Sequence, residues 1–523
     1  MKQILLLPAL VLNAQNPGIQ VRIIHQPWST MPVPRDLSSP EGSLAAVIRV
    51  LLDGGEIRPL FAKSIQGRLP SDLIKAQPEK TQALLRPLVM DEVHQAGDGA
   101  AILSVLGDGS LSVRYLEFEE GHWACLGEDG TATMEEGRKL AGRFLSGQVK
   151  STPQAPIAHA EAKLASFVSY LDKHGKEPKE LLLEAMASHR LTALGEIHNR
   201  PLSWATYTAL VQDPRFAQRV GTLFLELPAN GQVLMDRFLA ADGLDPSPLL
   251  DILRDLYHDG WPDQAMVDFL STLWKVNHFL PMGRKIRVCL VDQAWDWRAI
   301  RTKEDLPKLQ QDRDSLMARR ILEDLEQNTD PRHAVFLVGY LHLPAKLTLR
   351  LDPSNKLQNA GTRLREKLGN QLYAVMQHGP VLANSGGGVY GRIRQGLFDE
   401  AFLHKGNQPL AFALPGSPFG QEPFDSSWDL RGYQGTYGGA FDAYLYLGPL
   451  EQETFAPMVP GFYTEAYATE VDRRCQLLYG TGVKEAEDLK GSDAAAITEG
   501  AARLWGQPRQ WIGKLGPVGA WRK

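Results

Sequence analysis

LTALGEIHNRP, residues 191–201, is the stretch that decides the fold. Its first five residues make a short apolar run suited to a buried strand. Glu196 and His198 then alternate about Ile197, so in extended backbone both face one side and Ile197 faces the other. Pro201 favours the first turn of a following helix. The pair therefore stands at a strand-to-helix junction. Three later runs repeat the design: TLFLE (222–226) ends on Glu226, KIRVCLVD (285–292) on Asp292, and AVFLVGYLH (334–342) on His342. Helical patterns lie between them. Alternating strands and helices predict an α/β domain with a mostly parallel sheet flanked by helices. Ligands of such sheets bind outside the carboxyl ends of the strands. Four polar groups at four such ends are thus expected to converge on one crevice.

Outward from this core, a length of 523 residues implies two or three domains. A net charge of −5, with no Lys/Arg run, leaves no electrostatic footprint for nucleic acid or an anionic membrane. No stretch approaches the roughly 20 apolar residues of a membrane span. The expected partner is a small-molecule or peptide substrate. Cys125, Cys289 and Cys475 are far apart and odd in number, so neither a zinc spacing nor a disulfide framework is present. Cys289, inside the third run, reads as a small buried hydrophobe. Met1-Lys2, the apolar run Ile4–Leu12 and Asn13-Ala14 read as a secretory signal peptide over 1–14. That predicts an exported protein, periplasmic or extracellular.

Residues 15–42, rich in Pro, Ser and Asn, read as a linker or extended arm. A small α+β domain is expected over 43–148, with a helix ended by Gly54-Gly55 and a meander of strands in AAILSVLG, LSVRYLEFE and HWACLG. Its Glu120-Gly121-His122-Trp123 turn resembles the hairpin of NTF2-like cone domains. A second linker spans 149–160. The main α/β domain then covers 161–450, where QLYAVMQ (371–377), PLAFALP (409–415) and AYLYLG (443–448) bring the strand count to about seven. Residues 451–523 read as a C-terminal extension. The SGGGVYG stretch (385–391) lacks the context and the lysine of a nucleotide loop.

Several side chains in the main domain have the chemistry of a site. His198 suits a general base, and a nearby carboxylate such as Glu196 raises its basicity and fixes its tautomer. Glu226 interrupts an apolar segment, where an unpaired carboxylate is costly; it is read as a metal ligand or as partner to a cation. That cation is Arg313. The segment 306–327 reads as one helix with Leu309, Leu316, Met317, Ile321 and Leu325 on its apolar stripe, and Arg313 falls inside that stripe. Asp314 borders the same face and would brace Arg313 or a histidine. Asp292, Trp295, Trp297 and Tyr340 are candidate substrate-binding groups, and Asp292 alternatively caps the next helix. Glu196, His198, Glu226 and His342 are also candidate ligands of a divalent metal, in a set that suits zinc, manganese or iron. No G-x-S-x-G elbow or H-E-x-x-H helix is present.

Taken in order, GEIH (195–198), FLEL (224–227), Arg313-Asp314-x-x-Met317-Ala318 and VGYLH (338–342) resemble the Tiki/ChaN/erythromycin-esterase-like superfamily. GTRLREKLGNQLYAV (361–375) and FDAYLYLGP (441–449) resemble its closing strands, and the likeness covers roughly 180–450. Its implications divide. Erythromycin-esterase-like members hydrolyse a macrolide ester with a first-motif histidine as base. Tiki-type members resemble metal-dependent proteases, and ChaN-like members bind haem. Asn199-Arg200 follows His198 where the macrolide esterases usually carry a glycine, so macrolide specificity is not carried over. The resulting expectation is an exported hydrolase that activates water at His198, with or without the assistance of a metal. Glu196 and Glu226 would orient, and Arg313 and His342 would stabilise the oxyanion. The alternative is a non-catalytic binder of haem or another flat ligand, with Trp295, Trp297 and Tyr340 lining the pocket.

Overall fold

The computed structural model describes residues 20–30, 37–53, 60–61, 85–96, 98–106, 111–119, 122–131, 134–148, 157–309, 311–349, 354, 356–382, 390–425 and 433–522. The signal-peptide reading over 1–14 and the Glu120-Gly121 turn lie outside these residues, as does most of the second linker. The chain divides into two units, one containing residues up to Ala155 and the other containing most of the chain from Pro156 onward.

The first unit is built on a five-stranded antiparallel sheet whose spatial order follows the sequence. Its strands are β1 (Gln20–Pro27), β2 (Val89–Ala96), β3 (Gly99–Val105), β4 (Leu111–Glu119) and β5 (His122–Thr131). Among the described residues, two helices accompany it, α1 (Pro40–Asp53) and α2 (Met134–Gln148). The linker reading of 15–42 is corrected here, because β1 pairs with β2 from Gln20↔Gln95 to Pro27↔Val89 and so edges the sheet. A register shift between Ile23 and Gln26 interrupts that ladder and blurs the alternation that would have marked the strand.

The second unit holds a seven-stranded sheet, and the mixed α/β class is as expected. Its strands are β6 (Leu191–Glu196), β7 (Val220–Pro228), β8 (Arg287–Asp292), β9 (His333–Gly339), β10 (Leu372–Gln377), β11 (Leu410–Ala413) and β12 (Ala443–Tyr446). The spatial order is β11-β12-β10-β6-β9-β7-β8. All neighbours run parallel except the edge strand β11, which is antiparallel to β12. Helices α3 (Ala160–His174), α4 (Pro178–Ser188), α5 (Pro201–Gln212), α6 (Arg313–Gln327), α7 (Ala360–Leu368) and α8 (Leu397–His404) are among those around it.

Both faces of this sheet are apolar because both are covered. Ala193, Phe224, Phe336 and Val338 join one core with Leu164 and Phe167 of α3 and with Met317 and Ile321 of α6. Leu194, Leu223, Val335 and Leu337 gather on another side with Tyr207, Leu210 and Val211 of α5. After β6 the chain moves to β7 and β8 and returns to β9; it then crosses to β10 on the other side of β6. The carboxyl ends of β6 and β9 thus mark the switch point of the sheet.

Two further readings change. The helix expected over 306–327 begins only at Arg313: residues Lys303–Leu309 form a 3-10 helix containing Pro307, and the Asp312 side chain caps α6 by accepting from the Ser315 N–H at 3.0 Å. Residues 451–523 belong largely to the second unit and are not an appendage to it. Phe224 and Phe336 face each other across β7 and β9 with no solvent exposure. Phe336→Ala is expected to cost about 3–5 kcal/mol, read as a lower urea midpoint.

Candidate functional site

The polar cluster at the switch point is organised around one carboxylate. Glu226 lies at an irregularity near the end of β7, where the ladder to β8 shifts register between Leu225 and Pro228. It is buried, so burial alone would raise its carboxyl. Instead Oε1 accepts from Arg313 Nη2 at 2.6 Å and lies 3.3 Å from His342 Nε2, while Oε2 accepts from the Gly339 N–H at 2.7 Å. The His342 hydrogen bond, with the charges of His342, His198 and Arg313, outweighs burial and holds Glu226 well below the usual carboxylate range.

Each of its cations has a second carboxylate. Arg313, in the first turn of α6, donates to Asp292 at the end of β8 through Nε at 2.8 Å and Nη2 at 2.9 Å. This fork against a carboxylate is the strong arginine geometry. His342 follows β9 in a 3-10 turn, Tyr340–His342, and its Nδ1 lies 2.8 Å from Asp314 Oδ1. Burial lowers a histidine, but hydrogen bonds to Asp314 and Glu226, with their charges, push His342 up to about 10. It is therefore an imidazolium at neutral pH. Asp314 also accepts from the Ala360 N–H at 2.7 Å, which anchors it to α7.

The second cluster is the pair Glu196–His198. His198 Nδ1 lies 2.9 Å from Glu196 Oε1. Glu196 is buried, whereas the His198 side chain is 35% exposed. Burial pulls His198 down; the Glu196 hydrogen bond and the charges of Glu226 and Glu196 outweigh it, and outweigh His342, so the imidazole is raised above 6.5. Its other nitrogen, Nε2, lies over the backbone of Gly339, where a Cβ would stand only 2.8 Å from it. Gly339 thus makes room for the ring. Gly195 does the same for Tyr340, whose Cα would lie 3.0 Å from a Cβ there. Asn199 takes φ 59, a left-handed conformation that asparagine tolerates better than most residues.

The structure thus brings together Glu196, His198, Glu226, Asp292, Arg313, Asp314 and His342. The four candidate metal ligands do not offer a common set of donors. Both Glu226 oxygens and both His342 ring nitrogens are engaged, His198 Nδ1 is taken by Glu196, and among the described residues these four do not bring three ligand atoms within 4.8 Å of one another. These residues do not fit a metal centre. Nor do Trp295, Trp297 and Tyr340 form a wall for haem. Trp297 is 2% exposed, with the Arg474 guanidinium 4.9 Å above its ring, and it belongs to a core cluster with Ile300 and Leu309. Tyr340 packs against the main core. Trp295 does adjoin the site, its Nε1 3.4 Å from Asp292 Oδ2. Cys289, read as a small buried hydrophobe, is only half-buried, with its Sγ 3.3 Å from Arg287 Nη2; burial raises its thiol to about 11.

Two aromatic residues escaped the sequence reading. Trp261 lies edge-on to His198 with ring centroids 4.8 Å apart, and Tyr257 lies 6.2 Å from Trp261 and 5.1 Å from Trp295. The three form an arc from His198 to Asp292, with Tyr257 38% exposed. Tyr257 and Trp261 sit on a connection between helices, away in sequence from the strand ends; the Gly260-Trp261-Pro262 turn was the available signal.

No protein-family model matches the chain, and no curated protein does. Among solved structures, a Bacillus cereus protein is similar at 14% identity over 54% of this chain and 96% of its own, with a TM-score of 0.36. A succinoglycan biosynthesis protein is similar at 10% identity over 55% of this chain and 96% of its own, TM-score 0.40. The erythromycin esterase EreC, in an open conformation, is similar at 14% identity over 51% of this chain and 92% of its own, TM-score 0.34. Likenesses this distant carry no argument about the chemistry of this chain.

The charge on His342 has a consequence for stability. A histidine raised from 6.5 to about 10 contributes stability that is complete below about 6.5 and is lost as pH rises towards 10. The urea midpoint is expected to fall across that window. In His342→Gln it should start lower at neutral pH and vary less with pH; an equal slope in the variant would count against the assignment.

Proposed function

We propose that this chain is a hydrolase of carboxylic ester or amide bonds in which His198 is the general base. The observation that carries this reading is the arrangement of His198 itself: Nδ1 on the buried Glu196, Nε2 over Gly339, and the side chain partly exposed. Glu196 fixes the tautomer with the proton on Nδ1, leaving Nε2 to accept a proton from water. The hydroxide adds to the substrate carbonyl, and the tetrahedral oxyanion collapses as His198 returns the proton to the leaving oxygen or nitrogen. Arg313 and His342 act on the developing negative charge chiefly through their field, since Nε and Nη2 of Arg313 and both ring nitrogens of His342 are engaged with Glu226, Asp292 and Asp314. For the same reason a neutral acyl substrate suits the site better than an anionic phosphoester. Trp261, Tyr257 and Trp295 offer ring faces to an apolar or ring-bearing part of that substrate. Neither a metal nor haem enters this mechanism.

The test is a panel of chromogenic esters and amides assayed with the full chain. His198→Ala should lower turnover by roughly 10²–10⁴-fold without changing the fold. Gly339→Ala should lose most activity as well, since its Cβ displaces the imidazole. The rate should fall with decreasing pH through an inflection above 6.5, where His198 takes up its proton, and Glu196→Gln should move that inflection downward. Turnover undiminished in His198→Ala would overturn the proposal.

A further inference from the structure

His198 lies just beyond the end of β6, so no sheet ladder fixes its backbone, and the residue after it is left-handed. Its position is set from the far end of the chain. Arg509 Nη2 donates to the His198 carbonyl at 2.7 Å, and Nε donates to the Thr454 carbonyl at 3.1 Å. The Ala456 N–H donates to the Asn199 carbonyl at 2.9 Å. The Arg200 side chain, fully buried, is ion-paired with the equally buried Glu453. Three consecutive residues of the base-bearing loop are therefore gripped by 453–456 and 509.

The grip is itself braced. Phe455 N–H donates to the Gln507 carbonyl at 2.8 Å, Gly506 N–H to the Ala456 carbonyl at 2.9 Å, and Arg509 N–H to the Glu453 carbonyl at 3.0 Å. Arg509 is 4% exposed, and its guanidinium lies 4.1 Å from the centre of the Phe455 ring and 5.2 Å from that of Trp511. A planar fork held between rings has little freedom to move, so its donors fix the carbonyls they reach.

We propose that Arg509 is a positioning residue: through the His198 carbonyl it sets the aim of the imidazole at Glu196 and over Gly339. The inference rests on the reading of His198 as the base, but its first readout does not depend on turnover. In full-length protein labelled with ¹⁵N-histidine, the ring signals of His198 are assigned by their loss in His198→Gln. The Nδ1 proton bonded to Glu196 should resonate far downfield. In Arg509→Met this signal should shift or broaden away while the fold, read by circular dichroism, is retained. Arg509→Lys is the second variant, because a single ammonium does not reach the Thr454 and His198 carbonyls with the geometry of a fork; it should shift the same signal and serves if the methionine variant does not fold.

With a substrate in hand, Arg509→Met should lower kcat by on the order of 10²-fold with little change in KM. The pH inflection should move down, as His198 loses its bond to Glu196. An unchanged His198 signal in either folded variant overturns the proposal. A shifted signal, with turnover that does not need His198, would keep the positioning role and overturn the hydrolase reading instead.

Discussion

The buried carboxylate of Glu226 is the constraint on which the rest of the site depends. A charge placed inside an apolar strand is tolerated only when it is paired and fully hydrogen-bonded. Here the compensation comes from Arg313 at the start of α6, His342 beyond β9 and the Gly339 N–H at the end of β9. Those two cations then need carboxylates of their own, which brings in Asp292 from β8 and Asp314 from α6. A single glutamate in the apolar pattern of β7 thus ties together three strand ends and a helix. Breaking one contact would leave another group buried without its partner, and that interdependence keeps the constellation in one arrangement.

Much of this was legible in the sequence because the chemical residues are outliers in their surroundings. Glu226, Asp292 and His342 end apolar runs, and Arg313 interrupts an apolar stripe. Each breaks a period that packing alone would have kept. The fold class was legible for the same reason: runs such as TLFLE and AVFLVG are apolar on both faces, as strands covered on two sides must be. The helix start was misplaced because Leu309 continues the stripe in register, although Pro307 and the capping Asp312 interrupt the α-helix itself. Trp297 was placed in the pocket on chemistry alone; its partner Arg474 comes from a distant part of the chain, so no local pattern marks its burial.

The clasp on His198 was illegible for a related physical reason. Arg509 is 311 positions from the carbonyl it holds, and the contact is from side chain to backbone. Such a bond imposes no requirement on the residue type at the receiving end. The region from 451 onward accordingly reads as an extension, although in three dimensions it supplies partners for residues 198, 199 and 200. The buried pair Arg200–Glu453 shows what the sequence hides: Arg200 looks like one more polar loop residue, yet it has no exposure at all.

The two histidines at the switch point show how environment divides the work between like groups. His342 stands between Glu226 and Asp314, and two carboxylates keep it charged through the neutral range. His198 has one carboxylate within hydrogen-bond distance, which raises its pKa above 6.5 against the effect of burial, and its side chain is partly exposed. A histidine held charged between two carboxylates is poor as a base but serves as a fixed positive field; one with a single hydrogen-bonded carboxylate and a partly exposed ring is the better placed of the two to take a proton. The presence of Arg313 strengthens the contrast, since it neutralises Glu226 and keeps that carboxylate from competing for the proton. The polarity of the site therefore comes from the number of carboxylates each histidine meets. On the hydrolase proposal, it puts the base at the end of β6 and the fixed charge in the turn after β9.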